Sequence, residues 1–337
     1  MAFTMRPGEP TTQAIRRRAR TQLGRAADVL TDTKLPLSER IHEMRTSIKK
    51  VRALVALSRA AAPRKAHRAD RRLHKLAAVT SNLRDAEIVV KTLDAIVPGL
   101  TRSRKDAALV KARLRLVTRL RGAERAFNAA SVAESVTVQL LRERHRVRGW
   151  VPPHGGAWNK LWREPCVGLS KTYRRARSAM AHAYDDLSPD AFHAWRKAVK
   201  THRYQMLFLQ GVWPRPPTTH LAELEQLGEM LGEEHDLAVL EETVARDLTC
   251  LPLDSDRDRL RALIDLRRRA LRAEARPIGE RLFRERARIF RRRLQDRFRT
   301  DAQLGGDRRE RTEADQDDAA VEVRDAPAPA PAPLRMA

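Results

Sequence analysis

Two segments of this sequence decide its fold class: IHEMRTSIKKVRALVAL at residues 41–57 and FHAWRKAVKTHRYQMLF at residues 192–208. They align without a gap at an offset of 151 residues. Apolar residues recur in both at intervals of three and four, which is the spacing of an amphipathic helix. The alignment continues into the next predicted helix, where Asp85 pairs with Asp236. A register shared by two successive helices indicates an internal duplication.

Each segment carries four basic residues on one side of its predicted helix. In the first segment they fall within an arc of about 80° at 100° per residue, bordering the arc of apolar residues. We call these two sets the basic stripes: His42, Arg45, Lys49 and Arg52 in the first segment, and His193, Arg196, Lys200 and Arg203 in the second. Such neighbouring cations repel one another unless an anion lies between them. Phosphate suits them, because Arg presents a planar fork of donors, Lys a compact charge, and His a donor that gains a proton beside an anion.

Composition also points to an anionic partner. The 337 residues carry a net charge of +25, which favours nucleic acid, an anionic membrane surface or a phosphate polymer. Aromatic residues make up only 4%, so platforms for stacking bases are few and phosphate is the better target. The sequence has no apolar run of the roughly 20 residues that span a bilayer and no segment of signal-peptide type. We therefore expect a cytoplasmic protein without membrane insertion.

The pattern is helical between two atypical ends. Residues 1–12 and the Ala/Pro-rich tail 301–337 have too little apolar surface to order, so we expect both to be disordered. A Gly/Pro-rich connector, 149–165, separates a first repeat from a second. Cys166 and Cys250 are expected to be reduced core residues. The predicted helices are 13–31, 37–61, 66–96, 102–130, 132–147, 166–186, 189–211, 218–247, 256–275 and 277–299.

The sequence lacks the usual marks of phosphate chemistry. There is no Gly-rich phosphate loop, no H-E-x-x-H and no carboxylate cluster suited to magnesium. We therefore expect a binding protein, not an enzyme, with no cofactor and no metal. For Asp85 and Asp236 we expect salt bridges to an Arg or Lys of the stripe helices.

The two segments, followed by LRDAEIVV (83–90) and LGEEHDLAVL (231–240), resemble the CHAD domain, the conserved histidine α-helical domain. The resemblance covers residues 13–300 and implies an all-α fold. In that fold two antiparallel four-helix bundles, 13–148 and 166–300, are related by a pseudo-twofold axis around a basic cavity or groove. Members of this family bind inorganic polyphosphate and can associate with polyphosphate granules. The E-x-E-x-K signature of the often fused CYTH domain is absent, which indicates a standalone CHAD protein.

Matching the family motif residue by residue adds Lys50 and Lys197 to the stripes. The resemblance thus implies ten polyphosphate-binding residues: His42, Arg45, Lys49, Lys50, Arg52, His193, Arg196, Lys197, Lys200 and Arg203. Thr201 occupies the position equivalent to Lys50, so the two halves need not bind equally. Two other functions stay open from the residues alone: a nucleic-acid-binding, nucleoid-associated protein, and a basic helical scaffold that recruits an acidic protein.

Overall fold

The computed structural model describes residues 3–60, 62–97, 107–150, 163–213, 217–247 and 249–296. Within these ranges every regular element is a helix, which confirms the all-α fold class. A final helical segment covers 287–296. The preceding helices are α1 (Thr11–Thr31), α2 (Leu37–Leu57), α3 (Pro63–Ala78), α4 (Ser81–Ile96), α5 (Ala107–Ala129), α6 (Val132–Trp150), α7 (Arg163–Asp186), α8 (Pro189–Leu209), α9 (Thr218–Arg246) and α10 (Asp254–Leu282).

Helices α2 and α8, which contain the repeated segments, pack against each other. Each is covered on its other sides by its own neighbours, α2 by α1 and α3, and α8 by α7 and α9. The start of α8 shows how sequence sets these bounds. Ser188 accepts a hydrogen bond from the Ala191 amide at 3.2 Å, and Pro189 occupies the first helical position, where its missing N–H costs nothing.

The predicted helix 66–96 is two helices, α3 and α4, separated at Val79 and Thr80. The Ala77 carbonyl accepts hydrogen bonds from the Arg45 guanidinium and from Thr80 Oγ1, so it is satisfied outside a continuous helix. The equivalent position to Thr80 in the second repeat is Leu231, which has no hydroxyl, and α9 runs unbroken through it. Arg45, a side chain of the first stripe, therefore contributes to the break between α3 and α4.

The predicted break at Pro277 is wrong. Helix α10 continues through Pro277 and ends at Leu282, and the next helical segment begins at residue 287. A proline inside a helix removes its own backbone donor and crowds the carbonyl four residues earlier, but here tertiary packing holds the flanking turns, because Ile278 and Gly279 are both buried beside it.

Two hydrophobic clusters form the interior, and each draws on both halves of the sequence. The larger contains residues of α1, α2, α7 and α8, including Ile48, Trp195 and Phe208. The smaller joins α4 and α5 to α9 and α10, through residues such as Leu93, Leu240 and Ile264. The arrangement of the chain as two four-helix bundles, with one repeat in each, stays a prediction.

The chain before α1 is packed, whereas we expected residues 1–12 to be disordered. Met5 is buried, and its amide donates to the Phe208 carbonyl at 2.7 Å, while Arg18 donates to the Thr4 carbonyl at 2.8 Å. Most of the expected connector, 151–162, and the whole tail, 301–337, lie outside the described residues. Cys166 and Cys250 are buried free thiols, and burial raises the pKa of Cys166 to about 12.

Candidate functional site

A cavity of about 1300 Å³ opens where α2 meets α8, and it extends between α4 and α10 along α9. Its walls carry twelve arginine or lysine side chains and four histidines, against five carboxylates. The excess of positive charge is concentrated where the two stripes face each other.

Eight of the ten predicted site residues line this cavity: His42, Arg45, Lys49, Arg52, His193, Arg196, Lys197 and Lys200. The other two, Lys50 and Arg203, do not. Lys50 places its ammonium 5.7 Å from the ring centroid of Phe3, and Arg203 pairs with Glu225. Thr201, the counterpart of Lys50, does line the cavity. Lys50, the additional cation of the first repeat, therefore does not contribute to the cavity wall.

Four cations form the centre of the cavity, two from each stripe: Arg45, Lys49, Arg196 and Lys200. Burial, together with the nearby charges of Lys200, Arg196 and Arg45, lowers the pKa of Lys49 to about 7. Burial and Arg196 lower the pKa of Lys200 to about 8. None of the four forms an ion pair with a carboxylate in the described part of the chain. The protein thus holds like charges together in a partly desolvated space, which is unfavourable until an anion compensates them.

Three other cations of the cavity wall are neutralised by nearby carboxylates. Arg52 pairs with Asp70 at 2.8 Å, and Arg267 pairs with Glu233 at 2.6 Å. Arg84 pairs with Glu87 at 2.8 Å. Arg52 was predicted as an equal member of the stripe, but its charge is already shared with Asp70.

Asp85 and Asp236 do not form the salt bridges that we expected. Neither has an ion pair among the described residues, and Asp236 Oδ1 and Arg196 Nε are buried without hydrogen-bond partners. Burial raises the pKa of both carboxyls, while the positive charges of Arg45 and Arg196 oppose that rise. The two carboxylates therefore face the stripes as partial counter-charges at longer range.

Histidines from both repeats border the central cations. His193 stacks on His235, with ring centroids 3.9 Å apart and planes inclined by 26°. Burial and the neighbouring cations lower the pKa of His193 to about 4 and that of His235 to about 3, and the pKa of His42 is lowered for the same reasons. Both stacked rings are thus neutral at pH 7. His193 Nδ1 is buried without a partner.

Sequence reasoning missed His235 and Arg84 as cavity residues. They are equivalent positions, because each lies one residue before the repeated aspartate, and both line the cavity. The basic residue shared by these two positions was the signal in the sequence that could have identified them. Two glycines of α9 were also missed. A Cβ on Gly228 would lie 3.9 Å from Lys200 Cε, and one on Gly232 would lie 3.7 Å from Arg196 Nε, so these glycines leave room beside the central cations.

Comparison with known proteins identifies the fold family. The family model described as the CHAD domain matches residues 13–245, which is more than half of the chain. The chain belongs to the CHAD domain family. Both stripes lie within the matched residues.

A solved CHAD structure supports the same conclusion about the fold. The crystal structure of the CHAD domain from the plant Ricinus communis has a TM-score of 0.51 and 17% sequence identity to this CHAD protein, over 88% of this chain and 95% of that one. At this identity the likeness is one of fold. A search of curated proteins found no match. In the described part of this CHAD protein, no helix has the length and apolar character needed to cross a membrane.

Proposed function

We propose that this CHAD protein binds inorganic polyphosphate in the cavity between α2 and α8. The observation that carries the proposal is the cluster of Arg45, Lys49, Arg196 and Lys200, whose charges lack carboxylate partners among the described residues. A bound anion would restore the ordinary charged state of Lys49 and Lys200, because it would oppose the burial that lowers their pKa. Binding therefore relieves an unfavourable arrangement of the empty protein.

A linear phosphate polymer fits this chemistry better than a single small anion. The basic wall continues from His42 through Lys49 to Lys197, so a repeating anion would meet successive donors. Charge-assisted hydrogen bonds contribute about 1.5–3 kcal/mol each when well formed, and several in parallel give tight binding. The step from polyanion to inorganic polyphosphate rests on membership of the CHAD family.

The test neutralises the central cluster in a variant carrying Arg45→Ala, Lys49→Ala, Arg196→Ala and Lys200→Ala. The control removes the same charge from four exposed arginines of α5, Arg115, Arg119, Arg121 and Arg125. We expect the cavity variant to lose affinity for polyphosphate by more than about 100-fold, from the loss of several charge-assisted bonds. The control variant should stay within a few-fold of the wild type. Unchanged retention by the cavity variant, with its helical circular dichroism intact, would refute the site.

Nucleic acid is the second candidate, because the net charge of +25 alone would attract any polyanion. The two candidates differ in a competition titration across a salt series, at equal phosphate concentration. We expect polyphosphate to displace duplex DNA at near-physiological salt, since the central donors are partly buried in the cavity, where a single flexible chain reaches them more readily than a duplex does. Displacement in the opposite direction would favour nucleic acid.

The proposal describes a binding protein, not an enzyme. The stripes contribute donors and no carboxylate pair, whereas phosphoryl transfer normally needs a metal held by carboxylates. Cytoplasmic location and association with polyphosphate granules belong to the same proposal. Fluorescence microscopy of the tagged full chain, with and without the four alanine substitutions, tests granule association.

A further inference from the structure

The exposed rim of the cavity differs in charge between its two sides. The side formed by α3, α7 and the turn at 58–60 carries Arg59, His74, Lys171 and Arg175, all of them exposed. The side formed by α4, α9 and α10 carries three exposed carboxylates, Asp85, Glu229 and Glu233. Its two exposed cations, Lys91 and Arg267, are already paired with Glu87 and Glu233. A polyanion too long for the cavity would therefore leave it over the first side, where it meets cations, and avoid the second.

A row of basic side chains continues outward from the first side along α3. It begins at His74, which lines the cavity, and at 100° per residue its members fall within an arc of about 120°. They extend over about 16 Å of helix, and all are exposed. We call this row the α3 track: Arg64, His67, Arg68, Arg71, His74 and Lys75.

The charges of the α3 track are not used in the fold. The ion pairs that α3 makes within the described ranges come from Asp70, which pairs with Arg52 and Arg59, and from Arg72, which pairs with Glu143. Asp70 is the one acidic residue of α3, and it faces the cavity instead of the track. Ordinary solvated helix faces mix both signs of charge, whereas this one carries only positive residues.

The second repeat keeps only one basic residue of the track, Arg215 at the position of Arg64. The positions corresponding to His67, Arg68, Arg71, His74 and Lys75 hold Thr218, Thr219, Ala222, Glu225 and Gln226. Both helices keep the buried leucines of these segments, Leu73 and Leu76 in α3 and Leu224 and Leu227 in α9. The basic face is therefore not a requirement of the repeated fold, since one copy folds without it.

We propose that the α3 track is a second, exposed polyphosphate-binding surface that holds the part of a long chain leaving the cavity. The inference rests on the proposed function of the cavity. With the α3 track as its continuation, the cavity would release a long chain on one side only. The protein would therefore prefer long chains to short ones. A short chain is bound by the cavity alone, and a long chain is bound by the cavity and the α3 track together.

The test compares tripolyphosphate with long-chain polyphosphate on the full chain. The variant Arg64→Gln/Arg68→Gln/Arg71→Gln removes three track cations that do not line the cavity, and Arg115→Gln/Arg119→Gln/Arg125→Gln on α5 removes the same charge elsewhere. We expect the track variant to lose about tenfold in affinity for long chains and to stay within about twofold for tripolyphosphate. Its salt dependence with long chains should weaken by about 2 in slope, at about 0.7 per cation lost.

Three results would overturn the α3 track: an equal loss for both chain lengths, an unchanged affinity for long chains, or the same loss in the α5 control. A wild-type protein that binds neither ligand would overturn both the track and the proposed function. Wild-type binding of both ligands with an unaffected track variant would overturn the track alone. Circular dichroism of both triple variants checks that the helices are retained.

Discussion

Replacing Lys49 by methionine should stabilise the empty protein and weaken its binding of polyphosphate. Lys49 lies at the centre of the cavity, where its charge faces Lys200, Arg196 and Arg45. Methionine keeps the length and the apolar stem of the side chain but removes the charge. The neighbouring Lys50 lies on the same helix outside the cavity wall, so Lys50→Met is a matched control.

The size of the effect follows from the lowered pKa. Lowering the pKa from 10.5 to about 7 corresponds to a cost of about 5 kcal/mol for the charged form of Lys49. Lys49 keeps partial contact with water, so we expect a gain of about 1–2 kcal/mol in the free energy of unfolding. For a chain of this size that gain is a rise in Tm of about 1–3 °C. Binding should weaken about tenfold, from one lost charge-assisted contact.

The assay is thermal or urea unfolding of the wild type and both variants without ligand, followed by a polyphosphate titration. We expect Lys49→Met alone to show a higher Tm together with a lower affinity, and Lys50→Met to stay close to the wild type in both. A Lys49→Met protein that is less stable than the wild type, or that binds polyphosphate equally well, would refute the reasoning that the central charges await an anion.

Two further predictions concern pH. A bound polyanion should raise the pKa of Lys49 from about 7 and that of Lys200 from about 8. Binding at pH 8 should therefore take up about one proton, and affinity should fall as pH rises from 7 to 9. Calorimetry in buffers of different ionisation enthalpy measures the proton uptake, and zero uptake would contradict this prediction. In the folded protein the pKa values of His193, His235 and His202 lie at about 4, 3 and 3. Below pH 6.5 the unfolded chain therefore binds more protons than the folded one, and stability should fall toward pH 4. In urea unfolding over this range, the free energy of unfolding should depend less steeply on pH for His235→Gln than for the wild type. An equal dependence would show that His235 is not held neutral.

Much of the site was predictable, because the repeat compares the chain with itself. A basic residue repeated at one register beside a buried face is unlikely to be a solvated charge in both copies. That reasoning gave Arg45, Lys49, Arg196 and Lys200, which the fold brings together. The repeat pattern also included Arg203, and the family motif added Lys50, although the directions of these two side chains depend on contacts with Glu225 and Phe3 that are distant in sequence.

The errors arose where tertiary contacts decide local structure. The division between α3 and α4 depends on Arg45 and Thr80 donating to the Ala77 carbonyl, contacts that sequence periodicity does not contain. Pro277 remains inside α10 because the surrounding turns are packed. The ordering of residues 3–10 depends on the Met5 amide donating to the distant Phe208 carbonyl. In each case the local pattern was weaker than a long-range contact.

Filling the cavity without changing its charge tests the central claim most directly. Gly232→Leu would place a side chain against Arg196, whereas Gly122→Leu on α5 meets nothing within 4 Å and serves as the control. Both substitutions replace a helical glycine and keep the net charge of +25. We predict that Gly232→Leu folds with an unchanged or higher Tm and loses affinity for polyphosphate by at least about tenfold, while Gly122→Leu binds as the wild type does. Wild-type affinity in a folded Gly232→Leu protein would show that the overall charge, and not the cavity, holds the polymer.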